Sequence, residues 1–263
     1  MAVRQRAVRP RAGGACGEKA GPVVKQWGPI GLWYRVGIAI LKPPATLLTR
    51  RESTGTEFVP SGGVILASNH ISLGDPVVLT EFVLYDVGRA PRFLAKREMF
   101  RGNGLVPRVM RGAGQIPVDR HAPDASRALD PAVAALAAGE LVVIYPEGTV
   151  TRDPGGWPMR ARTGVARLAL LSGAPVLPVA QWGAKDVVEG YRRNGLRVRR
   201  HLVQFRVGPP VDLSAWLGKE LDGQVLREAT EAVMAGVTAE LEALRGERAP
   251  EQVHDPRGPR ETA

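Results

Sequence analysis

Six short, mostly apolar runs constrain this chain most: residues 64–67, 92–95, 115–118, 141–145, 176–180 and 202–207. Runs of this length, rich in Val, Ile and Leu and bounded by Gly or Pro, read as buried strands. Helical patterns occupy 76–85, 125–138, 163–172 and 224–244, with spacings such as Val165, Leu168 and Ala169 that mark core faces. Strand and helix in alternation predict an α/β fold, a mixed sheet flanked by helices. In such folds the chemistry sits in loops that leave strand ends. At 263 residues the chain has room for one large domain, predicted over 51–245. A disordered basic tail (1–25) and a helical segment (26–50) precede it, and a polar, disordered tail (246–263) follows.

Directly after the first run the chain reads Ser68-Asn69-His70-Ile71-Ser72-Leu73-Gly74-Asp75-Pro76. Asp75-Pro76 ahead of Val77, Val78 and Leu79 marks a helix start, which puts His70 and Asp75 in a strand-to-helix loop. A carboxylate there can hold the imidazole Nδ1–H, leave Nε2 free to take a proton from a hydroxyl, and stabilise the imidazolium that forms. The same residues also read as a helix N-cap beside a polar loop histidine. Spacing alone does not separate the two readings.

Other strand ends carry further candidates. Arg120 follows Asp119 after the 115–118 run, and its planar fork of donors suits a phosphate, though a surface ion pair is the plainer role. Glu147, Gly148 and Thr149 leave the 141–145 run through Pro146: Glu147 can accept from substrate hydroxyls or hold Arg120, Gly148 permits a tight turn, and Thr149 offers a hydroxyl. Arg152 becomes a second phosphate ligand if its loop folds back, and Lys96 closes the 92–95 run. Each of these also fits an ordinary solvated strand end.

Taken in order, Asn69-His70-x-x-x-x-Asp75, Gly114-Gln115-Ile116-Pro117-Val118-Asp119-Arg120, Tyr145-Pro146-Glu147-Gly148-Thr149 and Val176-Leu177-Pro178-Val179 resemble the four motif blocks of the glycerolipid acyltransferases. The bacterial 1-acylglycerol-3-phosphate acyltransferases are the group they resemble most. The resemblance implies a glycerolphosphate acyltransferase-like fold, His70 as general base, Asp75 as its orienter, and a phosphorylated acceptor on the second and third blocks. It implies as well an acyl thioester of acyl carrier protein or coenzyme A as donor, a lysophospholipid acceptor, and no cofactor or metal. The chain departs from the family at Val150, where an Arg usually follows Glu-Gly-Thr; the next basic residue is Arg152. That departure leaves the acceptor open.

Charge points to the partners. Lys and Arg number 36 against 26 Asp and Glu, a net +10 with a pI near 10.4, which favours polyanions: an anionic membrane, a phosphorylated substrate or nucleic acid. No helix-turn-helix, zinc-finger or aromatic RNA-binding pattern accompanies the charge, so nucleic acid is not expected. Residues 27–48 place Ile30, Trp33, Tyr34, Gly37, Ile38 and Leu41 on one helical side, with Arg35 and Lys42 on a narrow basic strip. We expect that apolar side to lie on a membrane surface, the alternative being a core helix. Arg35, Lys42 and Pro43-Pro44 leave no run of about 20 apolar residues, so a membrane span is not expected. A peripheral protein on the cytoplasmic face of the cell membrane follows, although the Arg-rich start, without an acid before Glu18, also fits an organelle transit sequence. The lone Cys16 fits a reducing compartment and, with no Gly-x-Ser-x-Gly elbow, argues for direct transfer without an acyl-enzyme.

Overall fold

The computed structural model describes residues 31–119, 127–186 and 200–256. Helix α1 (Leu32–Leu48) leads into β1 (Thr49–Thr54). There follow β2 (Val64–Ser68), α2 (Asp75–Phe82), β3 (Pro91–Lys96), α3 (Leu105–Gly112), β4 (Ile116–Val118), α4 (Asp130–Ala137), β5 (Leu141–Ile144), α5 (Gly164–Ser172), β6 (Val176–Trp182), β7 (His201–Val207) and α6 (Gly223–Arg245). One seven-stranded sheet has the order β1-β7-β6-β2-β5-β3-β4. All its neighbours are parallel except β6 and β7, so the sheet is mixed, as the alternation predicts.

Strand β2 lies at the centre, buried on both faces, which is why it reads as an unbroken apolar run. Its side chains alternate: Val64 and Leu66 meet Val78, Leu79 and Phe82 of α2, while Ile65 and Ala67 meet the cluster formed by α4, α5 and α6. Phe82 stacks on Phe205 of β7 with ring centroids 4.6 Å apart, and cutting such a buried ring back to Ala costs about 3–5 kcal/mol.

Two elements lie outside the predicted set. Strand β1 has a polar inward row because its residues bond to charges: Arg51 and Ser53 both donate to Asp86, and Arg51 also donates to Glu81. Helix α3 buries no residue and holds Pro107, so it carries no core periodicity. Helix α2 is shorter than predicted, passing after Phe82 into one π-helical turn, Val83–Val87.

Helix α1 faces the opposite way from the expectation. Tyr34, Gly37, Ile38 and Leu41 look inward onto a cavity, and Trp33 packs on Gly112 of α3, where an added Cβ would lie 2.4 Å from the Trp33 Cβ. The two helices run antiparallel, Gly31 beside Gly112 and Gly37 beside Val109. Leu32, Ile40 and Leu47 are left exposed on the outer side. The helix also continues through Pro43-Pro44 to Leu48. No described helix is long and apolar enough to cross a membrane.

The tail after α6 is held, against expectation, as far as Pro256. Arg245 lies over the rings of both Trp157 and Trp182, Ala249 N–H donates to Glu242, and Asp255 pairs with Arg160 at 2.8 Å.

Candidate active site

His70 sits where β2 ends, and its loop is fixed by backbone and side-chain bonds. Asn69 ahead of it is fully buried: its amide donates to the Gln181 carbonyl, its Oδ1 accepts from Gln181 N–H, and its own carbonyl accepts from the Gln181 side chain. These bonds tie the end of β2 to β6. The carbonyl of His70 accepts from Thr151 N–H at 2.7 Å, and its N–H donates to Glu147 Oε1 at 3.0 Å.

Asp75 bonds His70 and does not cap the helix, whose N-cap is Gly74. Asp75 Oδ2 lies 2.8 Å from His70 Nδ1 and also accepts from the N–H groups of Ile71 and Ser72, reaching back into the loop and not forward onto helix donors. Asp75 is wholly buried, and desolvation pushes its carboxyl above the ordinary range, opposed by those bonds and by His70. With Nδ1–H donated to Asp75, no described residue bonds Nε2, and the ring edge faces the cavity. One face of the imidazole stacks on Tyr145, centroids 4.2 Å apart at 19°, and Phe93 backs that tyrosine at 6.2 Å.

Glu147 does not line the cavity and is not placed to touch a substrate. Only 3% exposed, it spends one oxygen on His70 N–H and the other on Met159 N–H, each at 3.0 Å. Burial lifts its carboxyl to about 7 despite these bonds. It is a strut between the His70 loop and the 157–160 segment, and the sequence suggests no such partner. Gly148 makes the turn beside it, its N–H on the Tyr145 carbonyl and φ at +74°, a conformation that strains any side chain. Gly148, Thr149 and Val150 face the cavity with His70, and Lys96 joins them from the end of β3. Arg152 is exposed and absent from the cavity wall. Arg120 lies outside the described residues. Asp119 beside it pairs with Arg97 at 3.8 Å.

The cavity is about 1160 Å³ and its two sides differ in chemistry. Toward α1, α2 and α3 it is lined by apolar and aromatic groups such as Tyr34, Leu41, Leu84 and Met110. Toward α5 and α6 it carries Arg160, Arg162, Arg167 and Arg227. His70, on Tyr145, stands between. Sequence reasoning missed Tyr145, Gln181 and these arginines as parts of the site, and a polar Gln at the end of the apolar 176–180 run was the one visible signal.

A carboxylate–imidazole pair at a parallel strand end, facing a cavity with one apolar and one basic wall, sets a general base beside space for a substrate. The chain belongs to the acyltransferase family, whose model matches residues 50–182. Among solved structures it is similar in fold to the 1-acyl-sn-glycerophosphate (LPA) acyltransferase PlsC from Thermotoga maritima, with a TM-score of 0.55, 23% identity, and 82% of this chain and 83% of that chain covered. No curated protein matches the sequence.

Proposed function

We propose that this acyltransferase moves a fatty acyl group from a thioester of acyl carrier protein or coenzyme A to the free hydroxyl of a 1-acylglycerol-3-phosphate, giving phosphatidic acid. The observation that carries the reading is His70, oriented by Asp75 at 2.8 Å and standing between the apolar and basic walls. Nε2 takes the hydroxyl proton as the oxygen attacks the thioester carbonyl. Asp75 stabilises the imidazolium; the C–S bond then breaks, and the leaving sulfur takes the proton back from Nε2.

The apolar wall suits fatty chains and the basic side suits a phosphate. Arg152 is exposed outside the cavity and has no part in this assignment, whereas Lys96 and Thr149 line the cavity. Helix α1 is apolar on both sides, inward at Tyr34, Ile38 and Leu41 and outward at Leu32, Ile40 and Leu47. Exposed Leu105 and Val106 on α3 extend its outer side. A helix with apolar groups on two sides and a strip of exposed Arg35 and Lys42 suits a place between protein and lipid headgroups, which supports a peripheral enzyme on the cytoplasmic face of the cell membrane. The structure of Thermotoga maritima LPA acyltransferase shares the fold and so agrees with this choice of acceptor.

A second reading keeps the chemistry and changes the acceptor to another lysolipid, because Val150 lines the cavity where the related motif carries an Arg. Purified enzyme offered lysophosphatidate and other lysolipids, with both donors, tests both. Phosphatidate formed by wild type and not by His70→Ala supports the first; preference for a different lysolipid moves the assignment to the second. No transfer to any lysolipid defeats both.

A further inference from the structure

Of the four arginines on the basic wall only Arg160 is held among the described residues, by Asp255 at 2.8 Å. Arg51 is fixed by Asp86 and Glu81, Arg89 by two carbonyls and Arg206 by Glu240 at 2.6 Å, whereas Arg162 and Arg227 are exposed and Arg167 is half-buried. Arg162, Arg167 and Arg227 line the cavity and none of their side chains has an ion pair or hydrogen bond with a described residue. Among the described residues the carboxylates on the cavity wall are Glu81 and Asp119, engaged by Arg51 and Arg97. Like charges gathered in one cavity repel, and an anion that enters relieves the repulsion.

Their placement is set by the backbone. Arg162 N–H donates to the Pro146 carbonyl at 3.0 Å, which seats Arg162 beside the turn that carries Gly148 and Thr149 into the cavity. Arg167 lies one turn into α5 and Arg227 in the first turn of α6. Those two turns are locked together by the core around Val165, Ala166, Leu226 and Ala229. Three planar donor forks therefore line one cavity from a loop and two packed helices.

We propose that Arg162, Arg167 and Arg227 form a phosphate subsite that holds a phosphoryl group of a substrate while its acyl chain lies on the α1–α3 side. The proposal rests on the acyl-transfer reading above. These residues lie outside the four motif blocks and replace the Arg that Val150 displaces. A substrate phosphate comes from one of two sources: the phosphomonoester of the acceptor, or the phosphate that links pantetheine to the donor's carrier.

The test compares the Arg162→Ala, Arg167→Ala and Arg227→Ala variants, and the triple variant, with wild type. Lysophosphatidate is set against monoacylglycerol at fixed acyl-CoA, and acyl-CoA against acyl-pantetheine at fixed acceptor. Each substitution should raise KM for the phosphate-bearing substrate about ten- to a hundredfold, leave its neutral analogue unchanged, and shift kcat little. Discrimination lost only between the two acceptors assigns the subsite to the acceptor; loss only between the two donors assigns it to the donor. Equal losses with charged and neutral substrates, or unchanged KM in the triple variant, overturn the subsite. Should wild type transfer to no lysolipid, thermal stabilisation by coenzyme A or lysophosphatidate decides separately. Stabilisation of wild type but not of the triple variant upholds the subsite while the acyl-transfer reading falls; equal stabilisation of both removes the subsite as well.

Discussion

The loop that holds His70 and the helix pair that covers its cavity are secured by different forces. His70 is fixed through directional bonds to Asp75, Glu147 and Thr151, and through Asn69 to Gln181. Helix α1 rests on α3 through close apolar contact at Gly37 and Gly112, with Leu32, Ile40 and Leu47 facing outward. Hydrogen bonds fix angles, which a proton transfer needs. Dispersion fixes only distance, so the helix pair, the roof of the cavity, is held with less directional constraint than the loop.

The largest separation of the two regions should come from His70→Ala, expected to lower turnover about 10²–10⁴-fold while melting stays unchanged. Asp75→Asn should fall nearly as far, because the amide no longer orients the ring. Near-normal turnover in either would dissolve the contrast.

Glu147 comes next, since it serves the loop through structure. Glu147→Ala strips two buried N–H groups of their acceptor, at about 1–3 kcal/mol each, and should lower both Tm and activity. Its titration adds a sign. With the folded group at about 7 against an ordinary 4.5, the folded chain holds a proton that the unfolded chain releases between those values. This contribution to stability is whole below about pH 4.5, declines as pH rises to about 7, and is flat above. Buried Asp75 and Glu81 act in the same direction. Tm measured against pH should therefore slope less in Glu147→Gln than in wild type; identical slopes would mean that Glu147 is ionised throughout.

Smaller effects belong to the roof. Replacing Leu32, Ile40 and Leu47 together by Ser should reduce sedimentation with anionic vesicles yet preserve turnover on detergent-dispersed acceptor, because none of the three lines the cavity. Equal vesicle binding would place the membrane contact elsewhere. Least of all, Val150→Arg should change lysophosphatidate use only slightly if Arg162, Arg167 and Arg227 already supply the charge; a large gain would show a phosphate grip that was missing.

The same contrast explains what the sequence discloses. Strands β2, β5 and β6 stand out because both faces are buried and their residues are apolar up to Ser68 and Gln181 at the ends of β2 and β6. Strand β1 is hidden because Arg51 and Ser53 point inward to meet Asp86, so its period is polar. His70 and Asp75 are legible because a short loop brings them together. Glu147 is visible as a residue, but its partner Met159 lies across a Pro- and Gly-containing loop that carries no periodicity. The basic wall is harder still, since α5 and α6 contribute to it from positions some sixty residues apart. The apolar residues Tyr34, Ile38 and Leu41 of α1 line the cavity, and the sequence alone does not disclose this, because lipid and a cavity wall ask the same of a helix.

Strand β1 follows α1 directly and finds its parallel partner in β7, Thr49 beside His201, about 150 residues further along. Synthesis runs from the N-terminus, so the strand that anchors α1 to the sheet has nothing to pair with until nearly all of the catalytic region has been made. For most of that time α1 is an apolar helix with no β7 to anchor its strand. The order in which the chain is made therefore leaves the wall that α1 gives the cavity to be closed late, after the strands of the catalytic region.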